Sequence, residues 1–243
     1  MRLRSLIVLV GMLLPLIGCR DERLARSVRT GNVVESNKLL SEGVNLNARD
    51  SKGQTALHAA IEAGDKDMFH RLLEKGANPN LCNDKGASVV HWAARQEDVF
   101  WLDEALKLGG NPNQPNTGNR MYPTQTPIFY AINAWQRENI LRLMAAGADV
   151  NHVDGNNLTP LGECMEVGLY SVMIELLDAG ANPTPPKPAH SIFVNGWFHE
   201  RYETTIKTEE QRQAYRAMKE RLIELGYLKN TKGGEKVSGT NGT

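Results

Sequence analysis

The sequence has few aromatic residues and no net charge. Only 6% of its 243 residues are Phe, Trp or Tyr, and its 28 basic side chains balance 28 acidic ones. A balanced charge gives no long-range attraction to nucleic acid or to an anionic membrane surface. The scarcity of aromatic residues favours an architecture built on Ala, Leu and Gly contacts over a large barrel or sandwich.

Sequence motifs of catalysis and metal binding are missing as well. The chain has no HExxH, GxSxG, P-loop or dinucleotide-binding fingerprint, and its three cysteines form no pair at zinc-binding spacing. His199 and Glu200 are adjacent but have no second candidate ligand near them in the sequence. We therefore expect no catalytic residue, no metal site, no cofactor and no enzymatic activity.

The first 18 residues have the layout of an export signal. Arg2 and Arg4 precede an apolar run over residues 6–17. That run has about 12 residues, whereas a membrane-spanning helix needs about 20. Removing the segment leaves 26 basic against 28 acidic side chains, because it contains two Arg and no acid.

The apolar run ends in Leu-Ile-Gly-Cys19, which resembles the bacterial lipobox. In lipobox proteins the cysteine is lipidated and becomes the first residue of the mature chain. Arg20 follows it, where an Asp would favour the inner membrane, so the resemblance implies an outer-membrane anchor facing the periplasm. Several acyl chains, at about 0.8 kcal/mol per buried methylene, would make release negligible. The alternative is an ordinary secretory signal with an incidental cysteine.

A glycine that ends a helical pattern recurs through most of the chain. These glycines are Gly43, Gly76, Gly109, Gly147 and Gly180, at separations of 33, 33, 38 and 33 residues. Each suits the left-handed conformation that terminates a helix, and turn-forming Asn, Asp or Pro residues follow. Apolar pairs stand three and four residues before each glycine and predict the buried stripe of a helix. The spacing therefore predicts five units, each with two helices.

The first helix of a unit is predicted to begin after a Thr or Ser that can act as an N-cap. These N-caps are Thr55, Ser88, Thr126 and Thr159, the last two followed by Pro127 and Pro160 at the first helical position. Five residues later the side chain is always small, which allows close packing; these positions are Ala60, Ala93, Ala131 and Cys164, with Ser27 matching in unit one. Cys82 and Cys164 lie about two and a half units apart, so we expect two free thiols, with Cys164 buried.

The 33-residue unit, with Thr-Ala-Leu-His-Ala-Ala at 55–60 and Gly-Ala-Asn-Pro-Asn at 76–80, resembles the ankyrin repeat. The resemblance covers about residues 22–184. It implies an all-α ankyrin-repeat solenoid of about five helix-pair units joined by β-turn fingers. It also implies that His58 and His91 hydrogen-bond between units. The chain departs from the ankyrin pattern at three places. Unit one lacks the Thr-Pro-Leu-His start. Glu97 replaces the turn glycine of unit three, and Gly162 replaces the histidine of unit five.

The sequence divides into five parts on this interpretation. Residues 1–18 form the lipoprotein signal peptide and 19–184 the ankyrin-repeat domain. Residues 185–207 form a Pro-rich linker and an aromatic segment that folds back over unit five. Residues 208–227 form an amphipathic C-terminal capping helix, which begins at a Thr-Glu-Glu-Gln capping box. Residues 228–243 are rich in Lys, Gly, Ser, Thr and Asn and are predicted to be disordered.

The 38-residue spacing lengthens the finger between units three and four, within residues 114–125. It carries Arg120, Met121 and Tyr122, residue types that are enriched in protein interfaces, although loops also tolerate neutral insertions. Trp135 takes the turn-glycine position of unit four and would be an anchor if it lay near Tyr122. The resemblance implies further partner-binding positions on the fingers and first helices. The alternative for each of them is that it is ordinary solvated surface and contacts no partner. These positions are Ser51, Lys52, Gln54, Glu62, Asp84, Lys85, Arg95, Gln96, Asn133, Asn156, Leu158 and Glu166.

Ankyrin proteins with a single lipobox resemble immunity lipoproteins that protect bacteria from type VI secretion phospholipase effectors. The first helix is predicted from about residue 22, which would hold the first repeat against the membrane. The resemblance implies a non-enzymatic periplasmic lipoprotein, monomeric apart from its partner, that binds and neutralises a secreted phospholipase. The alternative is a periplasmic scaffold or envelope-assembly factor that binds the host's own proteins.

Overall fold

A computed structural model describes residues 22–118, 121–184 and 206–228. The predicted signal peptide, the lipid site Cys19, finger residue Arg120, the Pro-rich linker with nearly all of its aromatic segment, and nearly all of the C-terminal tail lie outside these ranges. Within them, every helix is too short or too polar to span a bilayer.

Five helix pairs follow one another along the chain. In unit one, α1 covers residues 22–29 and α2 covers Val33–Ser41. Units two to five contain α3 (Ala56–Ala63) with α4 (Lys66–Glu74), α5 (Val89–Ala94) with α6 (Phe100–Lys107), α7 (Pro127–Asn133) with α8 (Arg137–Ala145), and α9 (Pro160–Val167) with α10 (Tyr170–Asp178). A last helix, α11, covers Glu209–Glu224. The described residues contain no strand, only an isolated bridge between Cys82 and Ser88, so the all-α prediction is confirmed.

The core lies between the two layers of helices and matches the predicted stripes. The first member of every predicted apolar pair is at most 1% exposed; these residues are Leu39, Leu72, Ala105, Leu143 and Leu176. The small-residue positions are also buried, and those of units two to five have no exposed surface. Cys82 and Cys164 are both free thiols, and burial raises the pKa of the Cys164 thiol well above its ordinary value.

The predicted N-caps are confirmed at the start of α3, α5, α7 and α9. In unit two, Nδ1 of His58 accepts the backbone N–H of Thr55 at 3.3 Å. The proton therefore sits on Nε2, which faces the carbonyl oxygen of Ala87 in the next unit at 3.3 Å. His91 repeats the arrangement, with its Nδ1 3.1 Å from the Ser88 nitrogen and its Nε2 3.1 Å from the Gln125 carbonyl oxygen. The predicted hydrogen bonds between units are confirmed.

Polar contacts join neighbouring units along the outer layer, at or directly before their second helices. Each contact links a residue to one in the next unit, about one repeat length away in sequence. From unit one onward these contacts are Arg71 to Asn37 (2.9 Å), His70 to Glu104 (2.5 Å), Lys66 to Asp98, Arg142 to Asp103 (2.7 Å) and Arg137 to Glu175. The outer helices are thus connected in series by polar groups, as well as by the core.

The C-terminal helix α11 packs on α10 and ends like the second helix of a unit. Its glycine, Gly226, has a left-handed φ of 80°, and the Tyr227 N–H donates to the Leu222 carbonyl at 2.9 Å. The equivalent bond at the end of α10, from Ala181 to Leu176, is also 2.9 Å. The α11 helix therefore occupies the place of a sixth outer helix.

The helix α11 buries one face, as its amphipathic pattern predicts. Tyr215, Met218 and Leu222 are buried, with the Tyr215 ring 5.3 Å from that of Tyr170 in a T-shaped contact. Leu225, which helical periodicity places on the same face, is 39% exposed because it lies at the C-cap.

Unit three departs from its neighbours where Glu97 replaces the turn glycine. The helix α5 has only six residues, and Glu97 does not take the left-handed conformation that Gly64 and Gly168 adopt in units two and five. The buried Asn139 side chain compensates from α8. Its Nδ2 donates to the carbonyl oxygens of Ala94 at 3.1 Å and Gln96 at 2.7 Å, so these groups at the end of α5 are not left unpaired.

Candidate protein-binding surface

A groove of about 390 Å³ lies between the first helices of units three and four. Three aromatic rings line it: Trp92 from α5, Tyr130 from α7 and Tyr122 from the lengthened finger. The other lining residues are polar or small, and they are Asn83, Lys85, Ala87, Arg95, Gln125 and Asn133. The groove therefore combines aromatic surface with amide and cationic groups.

The two helix-borne rings of the groove rest on the buried histidines. Trp92 makes a T-shaped contact with His58 at 5.3 Å between ring centroids, and Tyr130 makes one with His91 at 4.7 Å. The Tyr130 hydroxyl also accepts a hydrogen bond from the buried Asn116 amide at 3.1 Å. Because core groups fix these rings, the groove is formed before any partner arrives.

Two cations line the groove, Lys85 and Arg95. Neither has an ion-pair partner within the described ranges. The Arg29 guanidinium of unit one is different, because it contacts Asp50 at 2.7 Å and Glu62 at 2.6 Å. The charges of Lys85 and Arg95 are thus unpaired within the described residues, whereas that of Arg29 is paired.

Two acids near this surface, Glu62 and Glu163, have hydrogen-bond partners within the chain. Burial alone would raise the pKa of Glu62, but hydrogen bonds from Arg29 and Gln54 outweigh burial and lower it. In unit five, burial raises the pKa of Glu163, against the effect of its hydrogen bond to Asn133, and the charges of neighbouring acids add to the rise. Both carboxyl groups are therefore engaged by partners within the chain.

The lengthened finger is held by hydrogen bonds to both neighbouring units. On one side, the Thr117 N–H donates to the Gly86 carbonyl at 2.9 Å. On the other, the Gly155 N–H donates to the Pro123 carbonyl at 2.8 Å, and the Asn156 amide donates to the Met121 carbonyl at 3.0 Å. These bonds fix the described parts of the finger in place.

Two glycines of the neighbouring fingers allow this close approach. A Cβ atom at Gly86, whose φ is +80°, would lie 1.2 Å from the Thr117 carbonyl oxygen. A Cβ atom at Gly155 would lie 2.3 Å from Cγ of Pro123. The contacts therefore require glycine at both positions.

The predicted contact residues divide into those that line the groove and those that do not. Lys85, Arg95, Tyr122 and Asn133 line it. Those outside its lining are Ser51, Lys52, Gln54, Glu62, Asp84, Gln96, Met121, Trp135, Asn156, Leu158 and Glu166. Met121 is nevertheless 70% exposed beside Tyr122, which is 46% exposed.

Three predicted contact residues have roles inside the solenoid. Gln54 is only 5% exposed, and its side chain bonds to Arg29 at 2.5 Å and to Glu62 at 2.8 Å. Gln54 is thus buried rather than presented at the surface, because the repeat places a charged network next to it. Glu62 belongs to the same network, and the Asn156 amide holds the finger.

Trp135 is exposed at the turn after α7 and lies outside the groove lining. It is 52% exposed and takes a left-handed φ of 59° at the turn after α7, where units one, two and five have glycine. This conformation costs a bulky residue about 1 to 2 kcal/mol. Tyr122 precedes α7 and Trp135 follows it; Tyr122 lines the groove, and Trp135 does not.

Trp92 and Tyr130 are the groove residues that the sequence prediction missed. Each stands directly before the small-residue position of its unit. The same position holds Arg26, Ala59 and Glu163 in units one, two and five. Aligning the five units at this position therefore shows an aromatic pair confined to units three and four, a signal that was available in the sequence.

Comparison of the chain with curated proteins gives no match. Over the described ranges, no group of three or more His, Cys, Asp or Glu side chains could hold a metal ion. Ankyrin-repeat proteins are in general protein-binding scaffolds without catalytic activity. Residues 24–116 match the family model of ankyrin repeats, in three copies, and the five stacked helix pairs form an all-α ankyrin-repeat solenoid, the architecture of a protein-interaction module.

Proposed function

We propose that this protein is a non-enzymatic lipoprotein of the bacterial periplasm that binds and neutralises a secreted antibacterial phospholipase. The observation that carries the binding function is the preformed groove between units three and four, with aromatic rings and cations that are unpaired within the described residues. The compartment and the class of partner rest on the lipobox at Cys19 and on the resemblance to single-lipobox immunity lipoproteins.

The start of the first helix supports action at the membrane surface. Residue 22 is already helical, only three residues after Cys19. Three extended residues span at most about 11 Å, so a lipidated Cys19 would hold unit one close to the bilayer. A phospholipase must approach the same surface to reach its substrate, which places inhibitor and target together.

Co-expression in the bacterial periplasm tests the proposal. A candidate secreted phospholipase, taken from the neighbouring genes, is produced with the wild-type protein, and we expect the cells to survive. Survival should be lost with the groove variant Lys85→Gln/Arg95→Gln. It should be retained with Arg26→Gln/Lys38→Gln, which removes the same charge from unit one, where neither cation has an ion pair within the described residues.

A Cys19→Ala variant separates anchoring from binding. It should still bind the purified phospholipase but protect cells less well, because it is no longer held at the membrane. Failure of the wild-type protein to protect cells, at normal level and localisation, would refute neutralisation of that enzyme. Cross-linking that then returned only envelope proteins would favour the alternative of a periplasmic scaffold or envelope-assembly factor.

A further inference from the structure

We propose that the groove and the finger beside it form one docking site for an extended partner segment that carries a carboxylate next to an apolar side chain. The site, here called the finger–groove site, consists of Lys85, Trp92, Arg95, Met121 and Tyr122. This inference rests on the proposed protein-binding function and specifies the chemistry of the partner. It does not depend on the partner being a phospholipase.

The apolar half of the site is the finger surface. Met121 and Tyr122 are 70% and 46% exposed, whereas most large apolar residues of the described solenoid are buried. Their carbonyl oxygens accept hydrogen bonds from Asn156 at 3.0 Å and Asn116 at 2.8 Å. An apolar surface on a fixed backbone binds without the entropic cost of ordering a loop. This surface therefore suits an apolar side chain of a partner.

The charged half of the site is the pair of groove cations. Lys85 and Arg95 lack ion-pair partners in the described ranges. The nearby Glu62 carboxylate is paired with Arg29, and the Glu163 carboxyl group is buried and hydrogen-bonded to Asn133. Asp84 is close in sequence, but its carboxylate packs against Gly53 on the unit-two side; a Cβ there would meet its Oδ1 at 2.0 Å. The site is therefore complementary to a carboxylate.

The groove suits a short segment whose neighbouring side chains point to different surfaces. Its volume of about 390 Å³ holds only a few side chains. In an extended segment, consecutive side chains point to opposite sides. With Tyr122 shared between the groove and the exposed finger surface, one such segment can place a carboxylate in the groove and an apolar side chain on the finger.

Selection from a random peptide library tests the composition of the segment. The probe is a phage-displayed library of about twelve random residues, selected on the full-length lipoprotein in detergent. We expect enriched peptides to carry Asp or Glu within a few residues of a large apolar side chain. One enriched peptide is then synthesised together with its Glu→Gln or Asp→Asn form.

The variants assign each half of the peptide to its half of the site. Lys85→Gln/Arg95→Gln should weaken binding of the acidic peptide by about tenfold or more and leave the amide peptide nearly unaffected. Tyr122→Ser should weaken both peptides. The matched controls, Arg26→Gln/Lys38→Gln and Val34→Ser in unit one, should stay within about twofold of wild type. Raising salt from 0.15 M to 1 M, which shortens the Debye length from about 8 Å to about 3 Å, should weaken only the charge-dependent part.

Several results would overturn the inference. The first is a set of enriched peptides that is basic or lacks acidic residues. The second is that selection on the wild type enriches no peptide over a parallel selection on Lys85→Gln/Arg95→Gln. The third is that the peptide binds this variant and the wild type with equal affinity. Displacement of the peptide by phosphatidylglycerol vesicles would instead assign the cations to lipid phosphate. No phospholipase is present in this selection. It can therefore succeed where cell protection fails, and it can fail where cell protection succeeds, so the two proposals are tested separately.

Discussion

Acidification should destabilise the solenoid through its two buried histidines. Burial lowers the pKa of His58 and of His91 from 6.5 to about 4, despite the hydrogen bond that each donates to the next unit. A group with a lower pKa in the folded state contributes stability above its unfolded pKa, and this contribution is lost as the pH falls toward the folded value. The sensitive range is therefore from about pH 6.5 down to about pH 4.

The size of the effect follows from the difference between the two pKa values. Each tenfold change in a proton-binding constant corresponds to about 1.4 kcal/mol, so lowering a histidine pKa from 6.5 to about 4 gives a limit of about 3 kcal/mol for each histidine. Between pH 7 and pH 5 the expected loss is about 2 kcal/mol for each, or about 4 kcal/mol together. Domains of this kind are stable by about 5 to 15 kcal/mol, so this loss is easily measured.

Urea unfolding at pH 7 and pH 5 measures the loss, using wild type, His58→Gln, His91→Gln and the double variant. Each single variant should be less stable than wild type at pH 7 but should lose about 2 kcal/mol less on acidification. His70 changes the stability in the opposite direction, because its hydrogen bond to Glu104 raises its pKa. The wild type and all three variants contain His70, so its contribution cancels when their losses are compared. Equal losses in wild type and the double variant, at unchanged m-value, would refute the reasoning.

Three further predictions concern stability, each measured by chemical unfolding followed by circular dichroism. Gly31→Ala should lower the free energy of unfolding by about 1 kcal/mol, because of its left-handed φ alone. Gly86→Ala should lower it by about 2 kcal/mol more, because the added Cβ meets the finger backbone. Equal losses in the two variants would contradict the close contact. Arg29→Met and Glu62→Met should show a coupling of about 1 kcal/mol in a double-mutant cycle, since the two side chains are joined at 2.6 Å, and strict additivity would contradict it. Met218→Ala should cost about 2 to 5 kcal/mol and produce an early transition as α11 leaves α10; a single unshifted transition would show that α11 contributes no packing.

The repeat scaffold could be predicted because its signals are local. A glycine such as Gly76 fixes a helix end by backbone conformation, and an N-cap such as Thr55 fixes a helix start by its own hydrogen bonds. The histidine bonds between units followed from the ankyrin resemblance and not from local chemistry. These predicted bonds form because the 33-residue period sets the geometry of neighbouring units.

The groove could be predicted only in part because it depends on how units meet. Lys85, Arg95 and Tyr122 were identified from family contact positions or from the insertion, but Trp92 and Tyr130 look like core aromatics in a helical pattern. Gln54 looks exposed in sequence and is buried by a charge network that reaches it from another unit. Such contacts join residues far apart in the chain, and the sequence pattern of one unit does not contain them.

The glycine contacts of the finger have a consequence for how the stack opens. In a one-dimensional lattice of repeats, stability is the sum of each unit's own free energy and its coupling to its neighbours. The bonds at Gly86 and Gly155 raise the coupling of unit four to the units on both sides, including unit three with its short helix α5. Amide hydrogens of α5, α7 and α9 should therefore exchange with one shared opening free energy, so that units three to five behave as a single cooperative block.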